Sequence, residues 1–283
     1  MKAVILNDRS SDCSPMSAEA LYTSLMAKMN ELKGLYYDAN GGGVDYHQLR
    51  LSPAFQEYKQ IANALCKIRL EEIQEPAQQL AFWINIYNAL VVHGIAELGI
   101  ARSVKDVSSF FKRICYDIGG HVFSSDDIEH GILRGNRRKH LLASKPFVYN
   151  DPRVAYALRV LDPRIHFALV CGSKSCPPIG IYHEDRIDTQ LDMATSNFIQ
   201  SDVEVDRETG VLHLSKVFQW YQKDFGSRDE MIHFILSYRR DELEQNYLRL
   251  VGSQIKLQYL PYDWELNHIG VHASDSHAVS KMV

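Results

Sequence analysis

The chain has 283 residues and a formal net charge of −4; 46% of the residues are hydrophobic and 23% are charged. This balance is ordinary for a globular protein whose core needs no disulfide bonds, and it gives no electrostatic reason to expect nucleic acid or an anionic membrane as a partner. The five cysteines are odd in number and widely spaced, which is not the disulfide framework of a small secreted protein.

The two ends of the chain differ from its middle. The apolar stretch near the N-terminus is too short for a signal peptide, and no apolar run approaches the roughly 18–20 residues of a membrane span. Together with the cysteine pattern, this favours a reducing, cytoplasmic location. Residues 1–16 are predicted to be a flexible lead and residues 269–283 a flexible tail. Residues 17–268 contain no linker or repeat and are predicted to fold as one globular domain.

The first part of this domain has the pattern of helices. A stripe of apolar residues predicts a helix over residues 17–33, and Ser52 followed by Pro53 predicts a capped helix that reaches about Cys66. Residues 76–98 are apolar nearly all round, which is typical of a buried helix. We expect this third helix at the centre of the fold.

Short strands are predicted later in the chain. Residues 113–123 predict a hairpin around a Gly-Gly turn, and residues 165–170 predict a buried strand that ends at Cys171. The remaining patterns predict a helix over about 188–199, a hairpin over 202–214, a helix opened by a capping box of Ser227 and Glu230, and a strand over 255–260. The predicted class is therefore α+β, a predominantly helical domain with short β-hairpins.

Two amide side chains lie inside the apolar helix. Asn85 and Asn88 are three residues apart and therefore share a face. A buried amide without partners costs on the order of 1–3 kcal/mol, so both must form hydrogen bonds. Either they bond nearby backbone and hold a loop, or they support or line a binding site.

The segment from Asp126 to Gly135 is predicted to be a short helix with Glu129 as its capping partner. His130 and Arg134 are four residues apart and project together. The segment is therefore either a capped surface helix or part of a site, in which Glu129 orients a base and Arg134 binds a ligand.

The segment from Asp162 to Pro178 carries two cysteines in a loop rich in glycine and serine. In a regular strand, His166 and Cys171 would lie on opposite faces, roughly 16 Å apart, so His166 would not act directly on that thiol. A thiol nucleophile would then need a distant histidine, such as His130 or His121, as its base. His166 is expected to be a core histidine or a binding residue.

The cysteine loop leaves several interpretations open. Four residues separate Cys171 and Cys176, which is not the two-residue spacing of thioredoxin-like redox pairs, although a tight turn can still bring the thiols together. No second pair of cysteines or histidines completes a zinc site, so we expect no metal and no cofactor. The backbone amides and the hydroxyls of Ser173 and Ser175 are candidates for binding an anion or an oxyanion.

Three blocks of the sequence resemble a known family. Residues 81–90 (Ala-Phe-Trp-Ile-Asn-Ile-Tyr-Asn-Ala-Leu), residues 126–134 (Asp-Asp-Ile-Glu-His-Gly-Ile-Leu-Arg) and residues 162–178 look like the signature blocks of the domain of unknown function 547, with weaker resemblance at residues 216–221 and 262–264. The family has no established activity, so the resemblance implies no chemistry. It implies that the motif positions are Asn85, Asn88, Glu129, Arg134, His166, Cys171 and Cys176.

These patterns lead to three hypotheses about function. The first is a thiol-dependent hydrolase or acyl transferase that uses Cys171 or Cys176 as nucleophile, His130 as base and Glu129 to orient it. The second is a non-catalytic binding or adaptor module for a small molecule or a protein. The third is a redox-responsive switch through the two cysteines.

Overall fold

The computed structural model describes residues 2–7, 17–38, 43–140 and 142–269. Most of the predicted lead and nearly all of the predicted tail lie outside these ranges. The described chain is mainly helical with two small three-stranded sheets, which confirms the predicted α+β class. None of its helices is long and apolar enough to cross a membrane.

The α-helices are Ala18–Tyr36 (α1), Tyr46–Leu51 (α2), Pro53–Asn63 (α3), Pro76–Glu97 (α4), Phe110–Arg113 (α5), Ile187–Asp202 (α6), Lys216–Trp220 (α7), Arg228–Tyr238 (α8) and Glu242–Val251 (α9). The strands are Val4–Ile5 (β1), Ile114–Ile118 (β2), His121–Ser124 (β3), Val203–Asp206 (β4), Val211–Leu214 (β5) and Lys256–Tyr259 (β6). A π-helix spans Asp127–Leu133, and one of several short 3₁₀ helices spans Pro163–Phe167.

Local capping signals explain where several helices begin. The Ser17 side chain accepts a hydrogen bond from the backbone of Ala20 at the start of α1. Ser52 does the same for Phe55 at the start of α3, where Pro53 occupies the first helical position. These predicted helix starts are confirmed, as is the capping box that opens α8.

Helix α4 is the central element of the larger core. Every residue from Ala81 to Ala96 is buried, as the apolar pattern predicts. Strand β2 packs closely on it, because Gly94 leaves room for Ile114; a Cβ at Gly94 would lie 2.8 Å from the Ile114 side chain. A second, smaller apolar core forms around Phe167, α6, α8 and the second sheet.

The first and the last strand of the described chain each pair with the central strand of a small sheet. In the first sheet, β1 runs parallel to β2, and β3 completes the predicted hairpin with β2. Residues 4–7, which belong to the predicted lead, are thus held by strand pairing and by the Asn7 side chain, which binds the backbone of Asp117. In the second sheet, β4 and β5 form the other predicted hairpin, and β6 pairs parallel to β5.

The predicted strand over residues 165–170 is wrong. Asp162 caps a 3₁₀ helix by accepting a hydrogen bond from the Arg164 backbone, and Pro163 begins that helix. Apart from His166, residues 165–170 are apolar because the segment lies between the two cores, with Ile165 in one and Phe167 in the other. A run buried on all sides carries no periodicity that separates strand from helix. The strand argument that placed His166 opposite Cys171 therefore does not apply.

Candidate functional site

A cavity of about 520 Å³ lies where the three sequence blocks meet. Its size is in the range of small-molecule sites. Helix α4, the π-helix, the cysteine loop, α7 and the segment after β6 all contribute to its walls. The lining residues are Tyr87, Phe111, Asp126, Glu129, Lys139, His140, His166, Leu169, Cys171, Cys176, Pro177, Val217, Gln219, Trp220, Tyr221, Tyr262 and Trp264.

The two cysteines lie together in the cavity wall. The backbone N–H of Cys171 donates to the Cys176 sulfur over 2.9 Å. The Tyr262 hydroxyl lies 3.2 Å from the Cys171 sulfur and 3.3 Å from the Cys176 sulfur. The buried Ser173 hydroxyl lies 3.1 Å from the Cys171 sulfur and donates to Cys176 over 3.6 Å. The four-residue spacing thus closes into a compact cluster of two thiols and two hydroxyls.

This cluster favours one thiolate. Burial alone would raise the pKa of Cys176, but hydrogen bonds from the Cys171 thiol, the Tyr262 hydroxyl and the Cys171 amide outweigh burial and lower that pKa. The pKa of Cys171 is raised, first by burial and then by the neighbouring Cys176. Of the two thiols, Cys176 is therefore the one whose surroundings favour the thiolate, and Cys171 is the one whose surroundings favour the protonated form.

The loop itself is held by the C-terminal segment. The Lys174 amide donates to the carbonyl of Glu265, and the Ser175 amide donates to the carbonyl of Asp263. The Ser175 hydroxyl accepts from the Asp263 amide. Two of the amides predicted to bind an oxyanion are therefore occupied, and Ser175 anchors the loop, whereas Ser173 joins the thiol cluster.

The side chains of Asn85 and Asn88 both form hydrogen bonds with backbone groups. The Asn88 amide donates to the carbonyl of Ala168 over 3.0 Å and accepts from the amide of Val170 over 3.0 Å, immediately before the cysteine loop. Asn85 makes the equivalent pair of bonds to Tyr182. Neither lines the cavity, but Asn88 supports the segment that presents the thiols.

This similarity allows a matched test. Asn88→Ala leaves the Val170 amide and the Ala168 carbonyl unpaired, so it should lower the free energy of unfolding by roughly 2–4 kcal/mol in urea titrations. Asn85→Ala leaves the Tyr182 amide unpaired, whereas the Tyr182 carbonyl still accepts from the Tyr22 hydroxyl, so this change should cost roughly 1–3 kcal/mol. Only Asn88→Ala should also change the pH midpoint at which Cys176 is alkylated by iodoacetamide, measured by peptide mapping. Equal midpoints in the two variants would contradict the supporting role of Asn88.

Glu129 points into the site rather than capping a helix. Its carboxylate accepts hydrogen bonds from the Tyr221 hydroxyl over 2.5 Å and from the Tyr87 hydroxyl over 3.3 Å. Burial opposes its ionisation, but His130 and the Tyr221 hydrogen bond together lower its pKa. The predicted capping role is wrong because residues 127–133 form a π-helix, a form often found at functional sites.

His130 is not placed to act on a thiol. Its Nδ1 lies 2.9 Å from a guanidinium nitrogen of Arg134 and so accepts a hydrogen bond from it, and burial is the main cause that lowers the pKa of His130. It does not line the cavity, and neither thiol has a hydrogen bond to a histidine in the described part of the chain. The predicted pairing of His130 with Cys171 or Cys176 is therefore not formed.

Arg134 completes a buried ion pair instead of binding a ligand from the cavity wall. Its guanidinium donates to both oxygens of Asp224, over 2.5 Å and 3.1 Å. The Asp224 side chain is fully buried and that of Arg134 is 4% exposed. This pair links the π-helix to the segment after α7.

Asp224 also orients His166. The His166 Nε2 lies 3.0 Å from Asp224, and the Tyr221 ring stacks on the imidazole with centroids 3.8 Å apart. Burial is the main cause that lowers the pKa of His166, so the imidazole is neutral and donates from Nε2. Nδ1 then carries a lone pair and has no hydrogen-bond partner among residues that the structure describes. His166 lines the same cavity as Cys176.

Sequence reasoning missed four residues of the site. Tyr221 and Tyr262 lie in the two segments of weaker resemblance, which was the available signal for them. Tyr87 was assigned only to the apolar helix, and Asp224 had no motif around it. Within the described ranges, no cluster of three or more histidine, cysteine or acidic residues is arranged to hold a metal ion.

A comparison with known families agrees with the sequence blocks. Residues 70–199 match the model of a family described as "Protein of unknown function, DUF547". The blocks at residues 81–90, 126–134 and 162–178 all lie inside this range, which confirms the resemblance; the two weaker segments lie outside it. Neither the curated proteins nor the solved structures contain a match to the chain.

Proposed function

We propose that this protein is a thiol-dependent hydrolase or acyl transferase, with Cys176 as nucleophile and His166 as acid–base group. The observation that carries the proposal is the set of hydrogen-bond donors around the Cys176 sulfur in the wall of a ligand-sized cavity. The Asp224–His166 pair in the same cavity supports the assignment of the base.

The chemistry follows from these two groups. The Cys176 thiolate attacks the carbonyl carbon of a bound acyl compound, a C–S bond forms, and the leaving group departs with the electron pair of the broken bond. His166 then accepts a proton at Nδ1 from water, whose oxygen attacks the acyl carbon. The C–S bond breaks, the thiolate returns, and His166 releases its proton to solvent. An acceptor hydroxyl or amine in place of water gives acyl transfer.

Trapping of the acyl-enzyme tests this proposal. Brief incubation with p-nitrophenyl acetate should place one acetyl group on Cys176, detected by peptide mass spectrometry. Cys176→Ser should abolish the adduct, whereas Cys115→Ser, at a buried cysteine that does not line the cavity, should not. His166→Asn should slow loss of the acetyl group by about 100-fold or more, since general-base catalysis contributes at least that factor.

The outcomes separate the hypotheses. Acetylation that persists in Cys176→Ser, or that appears on another cysteine, would overturn the proposed nucleophile. Ligands that bind in the cavity without ever acylating Cys176 would support the alternative of a non-catalytic binding module.

The contact between the two thiols favours redox switching as a second candidate. A peroxide would convert the Cys176 thiolate to a sulfenic acid; the Cys171 thiol would then displace hydroxide from its sulfur, and a disulfide and water would form. Treatment with about one equivalent of hydrogen peroxide should then give an internal disulfide between these two residues, with Cys171→Ser stopping at the sulfenic acid. Overoxidation of Cys176 in the wild type, with no disulfide, would exclude the switch.

A further inference from the structure

We propose that the cavity binds a small organic cation, whose ammonium group is held between the aromatic wall of the cavity and the carboxylate of Glu129. The inference rests on the proposed acyl transfer in that it names the substrate class: an acyl compound that carries a quaternary or protonated amine. Two independent features of the cavity carry it, the aromatic rings and a buried carboxylate that has no lysine or arginine partner among the described residues.

The aromatic wall consists of Trp220, Tyr262 and Trp264. The ring centroids of Trp220 and Tyr262 are 5.0 Å apart, those of Tyr262 and Trp264 are 4.8 Å apart, and those of Trp220 and Trp264 are 5.7 Å apart. Clusters of this kind bind quaternary ammonium groups through the negative faces of the rings. The Lys105 ammonium already lies 4.1 Å from the ring centroid of Trp264 and occupies that face of the ring, so a ligand ammonium would contact chiefly Trp220 and Tyr262.

The rings belong to the same cavity as the thiolate. Tyr262 contributes its ring to the aromatic wall and its hydroxyl to the cysteine cluster, where it lies 3.3 Å from the Cys176 sulfur. A cation seated on these rings would therefore hold an attached acyl group close to the nucleophile. This shared residue connects the binding feature with the reacting atom.

The second feature is the carboxylate of Glu129, whose side chain is 9% exposed. Its hydrogen-bond partners are the hydroxyls of Tyr87 and Tyr221. No lysine or arginine forms an ion pair with it among the described residues, and the neighbouring His130, whose Nδ1 lies 3.5 Å from the carboxylate, accepts a hydrogen bond from Arg134 at that nitrogen. A buried carboxylate without a lysine or arginine partner is costly, so a bound cation would stabilise it.

The other charged side chains that line the cavity do not make its net charge positive. Lys139 also lines the cavity, but it pairs with Asp126 over 2.9 Å, so these two charges offset each other. The thiolate of Cys176 adds a second negative charge. The cavity therefore favours a cationic ligand over an anionic one.

Two ligands of the same shape, one charged and one neutral, can test this inference. Choline and its neutral isostere 3,3-dimethylbutan-1-ol differ by nitrogen against carbon, so they separate charge recognition from apolar burial. Two of the three tryptophans, Trp220 and Trp264, line the cavity, and the third, Trp83, is buried in α4. Binding can therefore be followed by quenching of tryptophan fluorescence.

We expect choline to bind at least about tenfold more tightly than the isostere, both to the wild type and to Cys176→Ser. Glu129→Gln should remove most of that preference, and so should Trp220→Leu, at a position that is 41% exposed and therefore tolerant of change. Glu265→Gln serves as the matched control: Glu265 is exposed, pairs with Lys174 and should leave the preference unchanged. Equal affinities for choline and its isostere, or no binding of either, would overturn the inference.

The experiment also distinguishes this inference from the proposed function. Choline selectivity with no acyl-enzyme at Cys176 would leave the cation site standing and remove the acyl transfer. Acylation of Cys176 by neutral esters without any preference for cations would leave the acyl transfer standing and remove the cation site.

Discussion

Asp224→Asn should lower the free energy of unfolding by about 3–5 kcal/mol, the range expected when one partner of a buried ion pair is removed. The Asp224 carboxylate accepts from Arg134, from His166 and, over 3.4 Å, from Arg137. An asparagine amide would keep the shape but present N–H donors to groups that are themselves donors, and it would leave the Arg134 charge uncompensated. Urea denaturation at neutral pH measures the loss.

Asp192→Asn provides the matched control. Asp192 is 54% exposed and accepts from Arg164 over 2.8 Å, and Arg164 retains two other carboxylate partners, Asp162 and Asp188. Exposed pairs contribute little, so the control should cost at most about 1 kcal/mol. If Asp224→Asn is no more destabilising than Asp192→Asn, then the buried pair does not hold the π-helix to the segment after α7.

Acid should weaken the interaction of Asp224 with Arg134 and His166. Burial opposes ionisation of Asp224, but the hydrogen bonds from His166 and Arg134 hold the pKa of its carboxyl well below the ordinary value. A carboxyl with a depressed pKa in the folded state contributes stability above its unfolded pKa of about 3.9, and this contribution is lost as the pH falls below that value. The difference in stability between the wild type and Asp224→Asn should therefore shrink in acid.

Much of the fold was predictable from local signals. Ser17, Ser52 and Ser227 cap the helices that follow them, because a serine side chain replaces the missing backbone acceptor within a few residues. The Gly119-Gly120 turn likewise specifies its hairpin, with positive φ at both positions. Such features depend on neighbours in sequence, so the sequence alone carries them.

The segment before Cys171 was not predictable in the same way. Its apolar residues are buried by two different cores, so burial imposes no period, and the capping by Asp162 decides the conformation. This error affected the functional hypothesis, because the predicted strand placed His166 on the face opposite Cys171 and so excluded it as a base. The pairing of His166 with Asp224 spans 58 positions in sequence and depends on the fold, which no local pattern reports.

Tyr262→Phe should raise the pH at which the Cys176 thiol becomes reactive. The Tyr262 hydroxyl is one of the donors that stabilise the Cys176 thiolate. A hydrogen bond to a charged group contributes about 1.5–3 kcal/mol, which corresponds to a rise of roughly 1–2 in the pKa of the thiol. In the wild type, alkylation of Cys176 by iodoacetamide should reach half its maximal rate below the ordinary thiol pKa of about 8.5. In the variant this midpoint should move to higher pH, and alkylation at neutral pH should slow by about tenfold or more.

Tyr259→Phe is the control for this prediction, because Tyr259 lies three residues away in β6 and makes no hydrogen bond to either thiol. Its pH profile should match that of the wild type, and peptide mapping should separate Cys176 from Cys115, whose pKa burial raises to about 11. The direction of the shift is decisive, because loss of a donor to a thiolate can only raise its pKa. A midpoint that stays in place in Tyr262→Phe, or one that lies near 8.5 already in the wild type, would mean that the donors around Cys176 stabilise a neutral thiol and not a nucleophile.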